Sequence, residues 1–595
     1  MAEQIVSPGV FTREIDQSFL PAGLAAIGAA VVGPTVKGPA MVPTIVTSYS
    51  EFVQKFGDVF TSGSGTSEKN YKYLTNYAVQ EYLKSADSVT VVSIKAGTYA
   101  NAYSNVVSTG SSAASFKLHL LSPGSIMNNG SEAAATAGSG SNSDQIVNGS
   151  GALVSISGSV NNVRWEVSNV NFSKGTFTLG VRRGDDTDRR KVYLEQYNNL
   201  TLDPNSSNYI ARVIGDQVYT LRDAGTTSPF LQSSGSFPNK SSYVRVEVLQ
   251  STFNYLDTNG NVRLGAASAS LPTAISGTFA YGADGTIVHP RLFNEDITAT
   301  NTQGFNLTSG QDGNAAYTTA INLLSNQDEY DINLMVLPGV IDALHGNIAG
   351  KAIDMVEGRG DAFLVLDPVG YGSAITQATA QAESRDSSYS AMYWPWIQVA
   401  DNDLGRNIWL PASCLIPGVY AFNDRVAAEW FAPAGLNRGG IDIAIQAERK
   451  LTHANRDTLY ESSVNPLATF PGTGVCVWGQ KTNQKKASAL DRVNVRRLLI
   501  AAKKFIASTS KFLVFEQNTA ATRNRFLSIA NPYFESVQQR QGLYAFKVVM
   551  DETTNTPDVV DRNELRGQIF LQPAKTAEFI IIDFNVLPTG ATFPG

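Results

Sequence analysis

The sequence predicts a mixed α/β (α+β) core built from discontinuous segments, with a β-rich insertion between them and extended N- and C-terminal arms. Three observations carry this reading. Residues 21–97 and 309–475 alternate strand-like and helix-like periodicity, whereas 98–308 is rich in Ser, Gly, Asn and Thr, with short alternating strands and many turn signals. Both chain ends hold strand-like runs with no partner close by in sequence. At 595 residues, 43% hydrophobic and 16% charged, the chain can bury several cores and has none of the composition of a disordered protein.

Residues 1–20 form the N-terminal arm: Pro8 disfavours helix at Ser7, Gly9 loosens the chain, and Val10-Phe11 opens an apolar/polar alternation. In 21–97, Ala25–Val32 predicts a strand, the stretch Ser48–Gly57 a short helix stopped at Gly57, 67–85 a helix with Tyr71, Leu74 and Ala78 on one face, and Val89–Ile94 a strand. The insertion reads as two small subdomains. It includes strands on either side of Gly184-Asp185-Asp186 and a hairpin signal at Asn259-Gly260. In 309–475, Ile332–Pro338 and Phe363–Pro368 are buried-strand runs around a helical stretch, a βαβ-like unit. Residues 476–575 hold a long amphipathic helix at 491–508, followed by short strands with polar turns. The arm 576–595 contains Phe579, Ile580, Ile581 and Ile582 in one run, the composition of a strand covered on both faces.

Composition narrows the function. A net charge of −6 speaks against coating nucleic acid, and no run is long enough for a membrane helix. The N-terminus lacks a basic region followed by an apolar one, so no secretory signal is expected and the protein reads as soluble and made in a cytoplasm. Cys414 and Cys476 sit in apolar runs and read as buried free thiols. The four histidines, His119, His289, His345 and His453, have no metal-ligand spacing. Gly346–Lys351 imitates a phosphate loop but has one residue too few between its glycines and no Ser/Thr after the lysine, so it reads as helix. Asp257–Asn261 imitates a calcium loop without its closing glutamate, and Arg183-Gly184-Asp185 caps a predicted hairpin. No catalytic residue, cofactor site or metal site is expected.

The informative feature is electrostatic. Residues 481–525 hold eleven basic side chains against Asp491 and Glu516 alone. On a helical wheel, Val495, Leu498, Leu499, Ala502, Phe505 and Ile506 form one stripe, and Arg492, Arg496, Arg497, Lys503 and Lys504 the opposite one. The plain reading is a solvated surface helix. The sharper one is a docking face for an acidic partner, because clustered like charge repels itself until something neutralises it.

Several stretches together resemble one family, the contractile tail sheath proteins of myovirus-type phages and related injection machines. They are S-P-G-V-F-T-R-E near the start, N-I-W-L-P-A-S-C-L-I-P-G-V-Y-A-F-N-D (407–424), W-F-A-P-A-G-L-N-R-G (430–439) and V-N-P-L-A-T-F-P-G-T-G-V-C-V-W-G-Q-K-T (464–482). N-V-R-R-L-L (494–499), F-L-V-F-E-Q-N (512–518), V-V-M-D-E-T-T-N-T (548–556) and A-E-F-I-I-I-D-F (577–584) follow in order. Gln480 departs from the pattern, since many relatives carry a small residue there. The resemblance implies a structural, self-assembling subunit and not an enzyme. Its copies stack as hexameric rings around an inner tail tube, between baseplate and tail terminator proteins, in a virion assembled in the host cytoplasm. Contraction drives the tube through the host envelope, with no nucleic acid bound and no membrane insertion. It further implies an outward-facing insertion and a tube-facing 476–575 region bearing the basic helix. The arms around Pro8, Gly9, Val10, Phe11 and Phe579–Ile582 would complete neighbours' sheets. The alternative is a β-rich phage surface protein in which 98–308 binds or processes host glycans.

Overall fold

The computed structural model describes residues 28–62, 69–110, 113–129, 159–187, 189–263, 265–287 and 297–578. Both predicted arm sites, Pro8–Phe11 and Phe579–Ile582, lie outside them, as does His289.

An eight-stranded sheet organises the core. Its strands are β1 (Gly28–Gly33), β2 (Thr44–Val46), β3 (Val89–Ser93), β4 (Ile332–Ile341), β5 (Phe363–Asp367), β6 (Ser390–Trp394), β7 (Val464–Phe470) and β8 (Gly474–Val477), in spatial order β2-β3-β1-β4-β5-β6-β7-β8. The ladder is parallel from β3 to β7 and antiparallel at both edges. The first segment of the chain supplies β1 to β3. β1 pairs directly with β4, so two stretches some three hundred residues apart share one sheet, as the sequence predicts.

Because side chains alternate along a strand, a sheet covered on both faces needs apolar residues at consecutive positions. The runs A-A-V-V in β1 and F-L-V-L in β5 satisfy this. Ala29, Val31, Phe363 and Val365 enter one core, and Ala30, Val32, Leu364 and Leu366 the other. The first core is covered by α1 (Tyr49–Phe56), α2 (Leu74–Leu83) and α6 (Ile416–Val426). The second is covered by α3 (Asp312–Leu323), α4 (Gly346–Arg359), α5 (Ile375–Glu383) and α7 (His453–Glu461). Each fully buried Leu, Val or Phe contributes about 1.5–3 kcal/mol. The phosphate-loop look-alike lies inside α4, as expected of helix.

Two helices differ from the sequence reading. The helix expected over 67–85 begins only at Leu74. Lys69–Lys72 is instead a strand paired with Val59–Ser62, held extended by the buried Lys72 ammonium between Asp58 (3.0 Å) and Asp403 (3.1 Å). After α8 (Val493–Ser510), where strands and turns are expected, a twenty-residue helix, α9 (Ala520–Gln539), intervenes. Its apolar residues Phe526, Ala530, Phe534 and Val537 fall on one buried stripe, while the exposed Pro532 disguises the helix in the sequence.

Between β3 and α3, a three-stranded sheet (Asn101–Val107, Ala114–Pro123, Val244–Val248) packs against a four-stranded one (Val163–Asn171, Thr176–Arg183, Tyr193–Thr201, Ser276–Thr278). The Phe116 and Phe177 rings stack 5.7 Å apart between the two sheets, and one apolar core joins them where the sequence pointed to two subdomains. Asn259-Gly260 sits in a tight turn closed by a single Leu256–Val262 bridge, not in a full hairpin. Finally, β9 (Leu543–Val549) and β10 (Gln568–Pro573) form a two-stranded antiparallel ribbon against α9. No helix of the described residues is long and apolar enough to cross a membrane.

Candidate functional site

The basic helix α8 is the natural place to look for a contact surface. Its apolar stripe behaves as expected: Val495, Leu498 and Ala502 are buried, with Leu498 and Ala502 packed on Phe534 and Val537 of α9. The opposite stripe does not form an exposed basic face. Arg496, Arg497 and Lys504 are buried as well, each tied to the central core. Arg497 forms a two-point ion pair with Asp424 in α6 and lies 4.7 Å from the Tyr420 ring centroid. Burial opposes its charge, but Asp424 more than compensates and raises its pKa. Lys504 donates to Asp331 and to the Ile332 carbonyl, both at 2.5 Å, at the head of β4. Arg496 lies 4.0 Å over the Tyr389 ring and donates to Ser388, just ahead of β6. Lys503 alone of the five is exposed, with its ammonium 3.1 Å from the Tyr389 hydroxyl.

Arg492, at the head of α8, is half-buried and holds the carboxylate of Glu578, which follows the β9–β10 ribbon. Gln480, the residue that departs from the family pattern, also reaches Glu578 and its neighbour Thr576. The net effect is a helix locked to the core by charge: its basic residues are internal fasteners more than a surface.

Among its charged residues, the surface of this region also presents a cluster of apolar side chains. At the end of α8 the loop Phe512-Leu513-Val514-Phe515 turns Leu513 inward, while Phe512, Val514 and Phe515 stand 75%, 60% and 103% exposed. Phe515 also has a φ of 70°, a left-handed conformation costly for a bulky residue. Its sequence signal, an apolar run straight after an amphipathic helix, is visible in F-L-V-F but carries no period to separate it from core.

The titratable groups elsewhere are structural in their contacts. Burial pushes His345 down to about 4. Its Nδ1 accepts from the Ile341 N–H (3.1 Å), leaving Nε2 to donate to the Thr298 carbonyl (3.0 Å). Both cysteines are free and buried, and burial lifts the Cys476 thiol to about 11. Asp367, fully buried at the end of β5, is pushed up to about 7 by desolvation, against hydrogen bonds from the Ser413 N–H (2.9 Å) and hydroxyl (2.5 Å). No cluster of metal-ligating side chains occurs among the described residues.

Residues 310–483 match the phage tail sheath protein central domain, and residues 485–586 match the phage tail sheath C-terminal domain. The chain is 42% identical over 188 residues to the tail sheath protein of Vibrio phage KVP40, a match covering 32% of this chain and 28% of the relative. It is 38% identical over 192 residues to the tail sheath protein of Enterobacteria phage T4, covering 32% and 29%. The matched stretches thus span less than a third of these relatives. A sheath tail protein from Listeria innocua shares the fold, with a TM-score of 0.51 at 11% identity over 92% of this chain and 96% of that one. The two sheath-domain matches lie side by side and in order along residues 310–586.

Proposed function

We propose that this chain is the structural subunit of a contractile phage tail sheath. It polymerises as stacked hexameric rings around an inner tail tube, is carried in the virion between baseplate and tail terminator, and contracts to drive the tube through the host envelope. The observation that carries the reading is the presence of both sheath domains in order along 310–586, in a chain whose relatives are named tail sheath proteins. The role is mechanical and includes no catalytic step.

The arms at 1–20 and 576–595 are the connectors in this proposal, through Pro8–Phe11 and Phe579–Ile582. The β9–β10 ribbon supports it as a receiver: no other described strand pairs with either of its outer edges. An unpaired edge is a template for a strand from another chain. Backbone pairing of this kind holds subunits together while the bodies rotate and exchange interfaces. The tube-facing role passes from the whole basic stripe to what remains accessible, Lys503 and the exposed side of the C-terminal domain. The 98–308 insertion faces outward in the assembly.

Electron microscopy of the purified full-length chain tests the proposal. Helical tubes or stacked rings are expected at high concentration, and monomers alone under those conditions overturn it.

A further inference from the structure

We propose that Glu578 is the keystone of a strap that ties the end of the C-terminal domain back to the central domain and fixes the point from which the C-terminal arm departs. The strap is short. At its start the chain still belongs to the ribbon: the Ala574 N–H donates to the Gly542 carbonyl (3.1 Å) and the Lys575 N–H to the Tyr544 hydroxyl (3.3 Å). One residue on, Thr576 Oγ1 accepts from Gln480 Nε2 (2.6 Å), and two further on Glu578 meets three partners at once.

Those partners saturate the carboxylate. Oε1 accepts from Arg492 Nε (2.7 Å) and Gln480 Nε2 (3.1 Å), while Oε2 accepts from Arg492 Nη2 (3.1 Å) and the Tyr460 hydroxyl (2.8 Å). A carboxylate offers about four acceptor sites, and here all are used, two by a parallel guanidinium fork. The receptor is itself braced. Lys481 Nζ lies 4.6 Å over the Tyr460 ring and donates to the Tyr460 carbonyl (2.7 Å), and the backbones of Lys481 and Arg492 form an isolated bridge. Asp491 stands 3.0 Å from Arg492 Nη1.

The placement matters because of what each partner belongs to. Tyr460 and Gln480 lie in the central domain, whereas Arg492 heads α8 in the C-terminal domain. One side chain therefore closes the C-terminal domain onto both sides of the domain junction. The apolar run Phe579–Ile582 begins at the next residue. A pull on that run reaches Glu578 before it reaches the ribbon, and passes through Arg492 into a helix anchored by Arg497 and Lys504. This mechanical consequence rests on the sheath reading; the strap itself does not.

Trypsin cleavage after Lys575, exposed between the two sets of anchors, tests the strap in the full chain. In Glu578→Gln and in Arg492→Gln we expect the fragment 576–595 to be released roughly tenfold faster than in wild type, because local opening no longer breaks the clamp. The double variant should be no faster than either single one, since both remove the same interaction. Unchanged rates of cleavage at other sites show that the fold is intact. Wild-type rates at Lys575 in both single variants overturn the strap, and so do effects that simply add. Absence of tubes in the microscope would count against the sheath reading and leave this result untouched.

Discussion

In the central sheet, Ala29 and Val31 of β1 face one helical layer and Ala30 and Val32 the other, and none of the four reaches solvent. In the β9–β10 ribbon, Tyr544 and Phe570 stand 62% and 55% exposed, and both outer edges lack a described partner. Both faces of the sheet are covered within one chain; the outer face of the ribbon and the rings of the loop at 512–515 are not. Monomers that stay single rarely leave so much apolar surface and so much strand edge uncovered in one region. On the proposed sheath reading, the first region supplies stability and the second association.

The largest expected effect lies where the two regions are joined. Asp424→Ala strands the buried Arg497 guanidinium, whereas Arg497→Ala leaves a partly exposed carboxylate that water can reach. Breaking such a pair from one side costs about 3–5 kcal/mol. Denaturant unfolding of Asp424→Ala should show that loss. A change below about 0.5 kcal/mol, the ordinary range for a surface site, would return the helix to the solvated-face reading and dissolve the contrast.

An intermediate effect tests how closed the central sheet is. Burial raises the Asp367 carboxyl to about 7, above the ordinary ~3.9 of an unfolded Asp. Its folded form therefore holds a proton that the unfolded chain has already lost. The corresponding stability is fully present below about pH 4 and lost as the pH climbs to about 7. Asp367→Asn has no such titration, so its stability relative to wild type should rise steadily between those limits. Unfolding midpoints of both proteins at four pH values check this, and a flat difference would mean that water reaches the end of β5.

Much of the fold is legible in the sequence because local patterns determine it. A-A-V-V and F-L-V-L announce strands covered on both faces, and Gly57, at a φ of 77°, stops α1 where a β-carbon would meet Val36. Other features depend on groups far away along the chain. A helical wheel puts Arg496, Arg497 and Lys504 on one face, yet cannot show that Asp424, 73 residues earlier, and Asp331, 173 residues earlier, meet two of them. The Glu578 clamp gathers side chains 86 to 118 residues apart, none marked by spacing. Conversely, α9 was obscured by a local signal, Pro532, that tertiary packing of Phe534 and Val537 overrides.

The smallest effect on stability is expected at Phe515, and there it discriminates best. The residue is fully exposed and holds a φ of 70°, so truncating it removes no buried area. Phe515→Gly relieves a conformation that costs a bulky side chain roughly 1 kcal/mol. It also gives the unfolded chain more freedom to lose, worth about 0.5–1 kcal/mol in the other direction. The two terms nearly cancel, and the unfolding midpoint should stay close to wild type. Assembly should not: with Phe512 and Val514 still in place, losing the most exposed ring of the loop should raise the concentration needed for tubes severalfold, as read by light scattering. On the proposed sheath reading, a neighbouring subunit would cover this strained, exposed aromatic, which contributes nothing to its own fold. If the variant unfolds early yet assembles normally, the loop belongs with the self-contained half of the molecule after all.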